Sequence, residues 1–592
     1  MKDIIAIWNR LTTRRYTAVS TNPAGDDGIE EITMRAKGLR RKSSVVVNQF
    51  FNAALPVNID GKPRWNKSIL ILMTLGLLGL ASGCFLLIVN PYEAIFKYKV
   101  TFGEGGEIFE LWRSPPVDLY LKVYLFNFTN HREFMSGEDK KMKLQEVGPY
   151  VYKELLEHGN VTFNDNGTLS AIPLSPLVFV PELSGGTEDD LLILPNIALL
   201  SIANVVREEY FKRLGLNLLI RQTNSEPLVE MTAKEFMFGY KSTLVTLGYH
   251  VMPNWIKFDK LGLIDRMYDF TGDFETVYTG ETDVRKTGLI DTYNGDVNLP
   301  QWQGKCANVN GASDGTKFPS YIEPNDTLLF FRKSLCRSAN MVRVGEKTIG
   351  GLHTYQYKFK DNELDNGIHN PDNACFCRKG RCLPEGLIDV TDCYYGFPIA
   401  LSYPHFYMAN PVFSEKVEGL TPDPEKHESY FFIQPRSGSP VDLAFRFQIN
   451  MALQDISRIA RVEQFADIIL PLLWFEIGMY ELPEAVNNKF KLYLNYLPFV
   501  QDIGVYLSFI GGSFVLIWSI VRILLHQPKR PTGMAWSETE MQKQRLHFPS
   551  EKDPSAKSKE MEVYYNSLLS AQTEEMTSIA IEDLPIIKED IA

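Results

Sequence analysis

The chain has 592 residues, 45% hydrophobic and 22% charged, with a net charge of −11. That apolar content excludes a disordered chain, and the modest acidic balance excludes the basic field a nucleic-acid binder needs. Length alone would suggest several domains, but no Pro/Gly/Ser-rich linker or repeat divides the middle of the chain.

Residues 1–67 hold charged patches and no isolated apolar core, so no cleavable signal peptide is read there. They are read as a disordered cytoplasmic head. Arg40, Arg41, Lys42 and Ser43 fit a basophilic kinase site beside a polybasic run. Residues 69–89 then form an uncharged apolar run, and residues 68–90 are expected to be a transmembrane helix. About 21 helical residues span roughly 30 Å, enough for a bilayer core. Cys84 in this segment is read as a small packing residue.

The stretch 91–501 is read as one ectodomain, mostly β with a helical insertion. In residues 117–128, Leu119, Leu121, Val123 and Leu125 share one face while Asp118, Tyr120, Lys122 and Tyr124 share the other. Residues 355–359 and 445–449 alternate similarly. Between 196 and 250, Leu199, Ile202, Ala203, Val206 and Tyr210 have helical spacing, and Thr232 with Glu235 fits a capping box. Turns are expected at Asn294-Gly295, Asn310-Gly311 and Asp314-Gly315. Cys306, Cys336, Cys375, Cys377, Cys382 and Cys393 fall within 88 residues and read as three disulfides, with 15 pairings open. Zinc is the rival reading, but the spacing lacks paired C-x2-C knuckles, and no metal or other cofactor is expected. His405 is the histidine a catalytic reading would select, but no G-x-S-x-G elbow and no phosphate-cradling glycine loop accompany it. It is read as structural, and the chain as a non-enzyme.

A second transmembrane helix is expected at 503–525, its apolar run at 505–525 broken only by Arg522, and residues 526–592 are read as a disordered cytoplasmic tail. Basic residues precede the first anchor, and His526, Lys529 and Arg530 follow the second, which places both termini in the cytoplasm. The sequons at Asn127, Asn160, Asn166 and Asn325 lie between the anchors, on the side where glycans are added. In the tail, Tyr565 and Leu568 fit a tyrosine-based endocytic motif, and Glu582, Ile586 and Ile587 fit an acidic dileucine-type motif.

Several stretches resemble the class B scavenger receptor family, which includes platelet glycoprotein four, lysosomal integral membrane protein two and the insect sensory-neuron membrane proteins. They are GPYVY at 148–152, EFMFGY at 235–240, IDTYNG at 290–295, DGTKFP at 314–319, NPDNACFC at 370–377, SYPHF at 402–406 and PLLW at 471–474. The resemblance implies a β-rich α+β ectodomain with a barrel-like antiparallel sheet, an apolar tunnel and an apical helical bundle, held by two transmembrane helices. It also implies the pairs Cys306–Cys375, Cys336–Cys393 and Cys377–Cys382. Its functional implication is a scavenger receptor at the plasma membrane or the endosome–lysosome membrane. Such a receptor takes lipids, lipoprotein particles or other apolar ligands and passes cargo through the tunnel. A sorting receptor for a lumenal protein is the alternative, and self-association is left open. Apical ligand candidates are Arg207, Lys212, Arg213 and Arg221; Gln222 stands where the platelet member has lysine.

Overall fold

The computed structural model describes residues 67–242, 244–246 and 260–525. The head, the tail, Ser43 and the sorting motifs at 565–568 and 582–587 lie outside the described residues.

The first apolar run forms the helix Lys67–Val89. It ends because Asn90 adopts a left-handed conformation (φ 43°) and Pro91 opens a new helix, Pro91–Val100, whose first turn the Asn90 carboxamide caps. The second forms Leu497–Leu525, preceded by Glu484–Lys491 and a π-helical stretch, Leu492–Tyr496. Both helical segments therefore run past the expected ectodomain boundaries at 91 and 501. Hydropathy marks the apolar part, whereas backbone hydrogen bonding continues into Glu93, Lys97, Lys489 and Lys491. Within the spans, a Cβ on Gly79 would stand 3.0 Å from the Gly512 Cα. Small residues thus let the two backbones approach. Above them, Gln501 donates to the Asn90 carboxamide at 2.8 Å and accepts from the Tyr92 N–H at 2.8 Å.

Between the spans lies a 12-stranded sheet. Its main path runs Leu328–Arg332, Arg337–Ile349, Leu352–Phe359, Tyr430–Ile433, Pro440–Ala452, Ile469–Met479, Leu119–Phe128, Met142–Glu154, Val417–Glu418. Every pairing on that path is antiparallel except the last. A second sheet joins Glu157–Phe163, Thr168–Leu174, Glu275–Tyr278 and Ile290–Tyr293. Leu119, Leu121, Val123 and Leu125 are buried and Tyr120, Lys122 and Tyr124 half-buried, as the alternation predicts. The strand Pro440–Ala452 departs from it. Arg446 and Gln448 occupy the polar face but are buried, because Glu476 pairs with Arg446 at 2.5 Å and Asn450 accepts from Gln448 at 2.7 Å.

The helical insertion forms Ile197–Val206 and Tyr210–Thr223. Tyr210 does not share the buried face of Leu199, Ile202, Ala203 and Val206. The first helix stops at Val206, and Tyr210 starts the next one, 63% exposed. The capping box at Thr232 and Glu235 is formed on both sides. Asn294 and Gly295 both have positive φ, the signature of a type I′ turn. Three disulfides join Cys306–Cys375, Cys336–Cys393 and Cys377–Cys382, with Cα separations of 5.9, 6.0 and 4.5 Å.

Candidate functional site

The helix Glu107–Arg113 carries Ile108, Leu111 and Trp112 on one side, and Pro115-Pro116 then turns the chain into the first strand of the large sheet. These residues wall a cavity of about 160 Å³ whose other wall is the sheet itself, through Phe330, Phe331, Phe431 and Phe445. Phe330, Phe431 and Phe445 of that wall pack with Phe359 and Phe447, contacting ring centroids lying 5.0–6.3 Å apart. Offset and edge-on rings make this a stiff apolar surface.

A second cavity, about 450 Å³, adjoins the first; both are bounded by Ile108, Leu111, Pro116, Val486 and Phe490. Phe96 and Val100, from the helix following the first span, line it, as do Tyr493 and Leu494, which precede the second. The two neighbouring cavities are thus lined by residues that run from the aromatic wall to the segments continuing into both spans, with Lys99, Glu107, Glu110 and Lys489 also on the second.

The first cavity has charged groups at its margin. His158, on Glu157–Phe163, faces Glu275, on Glu275–Tyr278, at 3.1 Å and Asp314, in the Asp314-Gly315 turn, at 3.2 Å. Burial alone would lower the His158 imidazole, but Asp314 and Glu275 outweigh it and push it up to about 10. Trp112 stacks on the ring at 3.8 Å. Arg332 pairs with Glu154 at 3.2 Å, and Lys333 pairs with Asp273. Lys317 differs. Its Nζ donates to the Phe318 carbonyl and the Ser320 hydroxyl at 2.7 and 2.9 Å, and among the described residues no carboxylate pairs with it. Burial lowers its ammonium to about 7. Sequence reasoning missed His158 and Glu275, and met Lys317 only as part of the DGTKFP motif. Only the Asp314-Gly315 turn and the KFP that follows were legible, and neither reveals what the turn faces.

His405 lies apart from this cavity, buried against Glu146 (2.6 Å) and accepting from the Thr421 N–H at 2.9 Å. Glu146 also accepts from the Trp474 indole at 2.6 Å. Both His405 nitrogens are thus committed to structural bonds.

The insertion divides the apical candidates. Arg207 donates to the Asn204 carbonyl and Arg213 to the Arg207 carbonyl at 2.8 Å, so both brace the corner between the helices. Lys212 and Arg221 are exposed. The same helix also exposes Phe211 (84%) and Leu218 (62%), which the sequence reading did not select. Among the sequons, Asn160, Asn166 and Asn325 are exposed. Asn127 is half-buried, and its carboxamide oxygen accepts from the Ile193 N–H at 2.9 Å.

Comparison with known proteins agrees with this architecture. The family model described as the CD36 family matches residues 70–523. Scavenger receptor class B member 1 of Rattus norvegicus is 31% identical over 479 residues, covering 80% of this chain and 92% of the relative. Protein peste of Drosophila melanogaster is 27% identical over 465 residues, 77% of this chain and 82% of the relative. Lysosome membrane protein 2 of Homo sapiens is 28% identical over 459 residues, 75% of this chain and 93% of the relative. With two candidate spans, three disulfides and a family match running from one span to the other, the chain belongs to the CD36 family, as a scavenger-receptor-type membrane protein.

Proposed function

We propose that this protein is a scavenger receptor that takes apolar, lipid-type cargo into its ectodomain and delivers it to the bilayer. The observation that carries this reading is the pair of adjoining cavities reaching the residues that continue into both spans. Each methylene exposed to water costs about 0.8 kcal/mol, so sixteen impose a barrier of roughly 13 kcal/mol on an acyl chain crossing unaided. An apolar passage between bound particle and leaflet removes most of that barrier. Both termini lie in the cytoplasm in this reading, supported by the flanking basic residues and the exposed sequons Asn160, Asn166 and Asn325. The receptor works at the plasma membrane or in endosome–lysosome membranes. Lys212 and Arg221, with the exposed Phe211 and Leu218, form the capture surface, while Arg207 and Arg213 serve its shape. The chemistry is binding and passage, not catalysis.

The test is to narrow the neck. Leu111→Trp places a larger ring among the residues the two cavities share. Cells expressing it should take up labelled fatty acyl or sterol cargo several-fold more slowly than cells with the native chain, at equal surface delivery. Equal uptake by both would overturn the passage. Co-purification of a lumenal protein, with no lipid uptake by either, would favour the sorting receptor.

A further inference from the structure

His158, Glu275 and Asp314 come together from two strands and a turn, and three of their polar atoms converge. The Nδ1 of His158 lies 2.9 Å from the Trp112 carbonyl. A carbonyl can only accept, so Nδ1 carries a proton. The other nitrogen, Nε2, points at Glu275 Oε1 (3.1 Å) and Asp314 Oδ2 (3.2 Å). All three atoms lie within 4.8 Å of one another. His158 and Glu275 are 1% and 3% exposed, so water does not screen them.

A neutral ring would set one lone pair against two carboxylates. A proton on Nε2 relieves only part of this. It forms a hydrogen bond to Asp314, and Glu275 Oε1 remains buried without a hydrogen-bond partner. One imidazolium also faces two carboxylates, and the Arg332 guanidinium, the nearby cation that acts on Asp314, is itself paired with Glu154. A buried carboxylate without a partner of its own is costly. A divalent cation satisfies all three atoms and brings the charge to zero. The spacing suits it. Ligand bonds of 2.0–2.1 Å in a tetrahedral set place neighbouring ligand atoms roughly 3.3 Å apart. The 3.1 and 3.2 Å separations are close to that edge. The supporting shell also has the form metal sites use. The second ring nitrogen donates to a backbone carbonyl, which fixes the tautomer. The Thr316 N–H holds Asp314 Oδ1 at 2.9 Å, and the Thr316 hydroxyl reaches Oδ1 at 2.6 Å and Oδ2 at 2.8 Å, which fixes the carboxylate's orientation.

We propose that His158, Glu275 and Asp314 form a divalent-cation site of zinc type in the cavity wall. One nitrogen and two carboxylate oxygens suit zinc or manganese better than calcium, which takes six to eight oxygens. All three residues line the first cavity. The remaining coordination position faces that space and takes water or an oxygen of the cavity's occupant.

The experiment uses the full chain purified in detergent. Its metal content is measured by plasma mass spectrometry, then its melting temperature before chelation, after chelation, and after zinc or manganese is returned. About one metal per chain is expected, and chelation should lower the melting temperature by several degrees, reversibly. His158→Gln and Glu275→Gln should each reduce content at least about tenfold, because each removes a ligand. Glu275→Gln decides most sharply. If only a proton bridges the cluster, this variant removes one buried carboxylate charge and the protein melts at the same or a higher temperature. If a cation bridges it, the variant melts lower and chelation no longer affects it. Native protein that neither contains nor rebinds zinc or manganese, or metal retained at full content in both variants, would overturn the site.

Discussion

Two buried histidine clusters invite comparison. Around His405 the count of donors and acceptors closes. One ring meets one carboxylate, Glu146, and the Thr421 N–H fills the other nitrogen. Around His158 the count does not close, because one ring meets two carboxylates. Both rings are buried, so burial of the base does not distinguish them; the number of carboxylates per base does. A closed cluster locks strands together. An open one at a cavity wall needs something the chain does not supply.

The strongest way to break this comparison is to open the closed cluster. Glu146 accepts from both His405 and the Trp474 indole at 2.6 Å. Glu146→Leu would leave two buried donors unpaired, each costing about 1–3 kcal/mol. The protein should lose about 3 kcal/mol or more of stability, read as a clear fall in melting temperature. Little change would mean that these bonds are replaceable and that the cluster is not what locks the strands.

A smaller effect concerns pH. His427 stacks on His405 at 4.3 Å and receives the Asp423 N–H at Nδ1. Burial lowers its imidazole to about 4, with His405 and Arg446 acting the same way and Glu146 and Asp423 opposing. The folded state therefore resists a proton that the unfolded chain accepts near 6.5. Stability is full above about pH 6.5 and falls as pH drops from there toward about 4, by on the order of 2 kcal/mol after allowance for screening. That window includes endosomal acidity. Melting temperature measured from pH 7.5 to 4.5 should fall in the native chain, and the part due to this ring should vanish in His427→Phe. An identical slope in both would remove His427 as the cause.

What the sequence made legible follows from the range of each force. Residues 69–89 and 505–525 announce spans because hydropathy needs no partner. The Thr232–Glu235 box and the Asn294-Gly295 turn are equally local. The strand at 119–128 was legible because one face meets the core and the other is only half-buried. The strand Pro440–Ala452 was half legible. Its period is right, but burial of its polar face depends on Glu476, 30 residues after Arg446. The cluster in the cavity wall was only partly legible, since His158 and Asp314 are 156 residues apart. The resemblance reached only part of it, for the motifs that carry the resemblance include Asp314 but neither His158 nor Glu275. In the insertion, charge marked four residues alike, whereas two of them hold backbone carbonyls and two face outward.

Lys317 extends the comparison to a base that, among the described residues, pairs with no carboxylate. It lines the same cavity as His158, is 2% exposed, and bonds only neutral oxygens. A buried ammonium without a counter-ion is held at a cost, which an anionic head group entering the cavity would offset. The expected consequence is selectivity among lipids of equal chain length. A fatty acid should bind the native protein more tightly than its methyl ester, by up to about tenfold, or about 1.4 kcal/mol. Lys317→Met keeps the length and apolar stem of the side chain and removes the charge. In this variant the acid should lose its advantage while the ester binds as before. The measurement is competition by acid and ester for one labelled lipid on the purified chain, at a pH below about 7 where Lys317 keeps its proton and the acid is still ionised. Equal preference for the acid in both proteins would place the head group elsewhere. Loss of acid and ester together would show that Lys317 shapes the cavity wall instead of reading the charge.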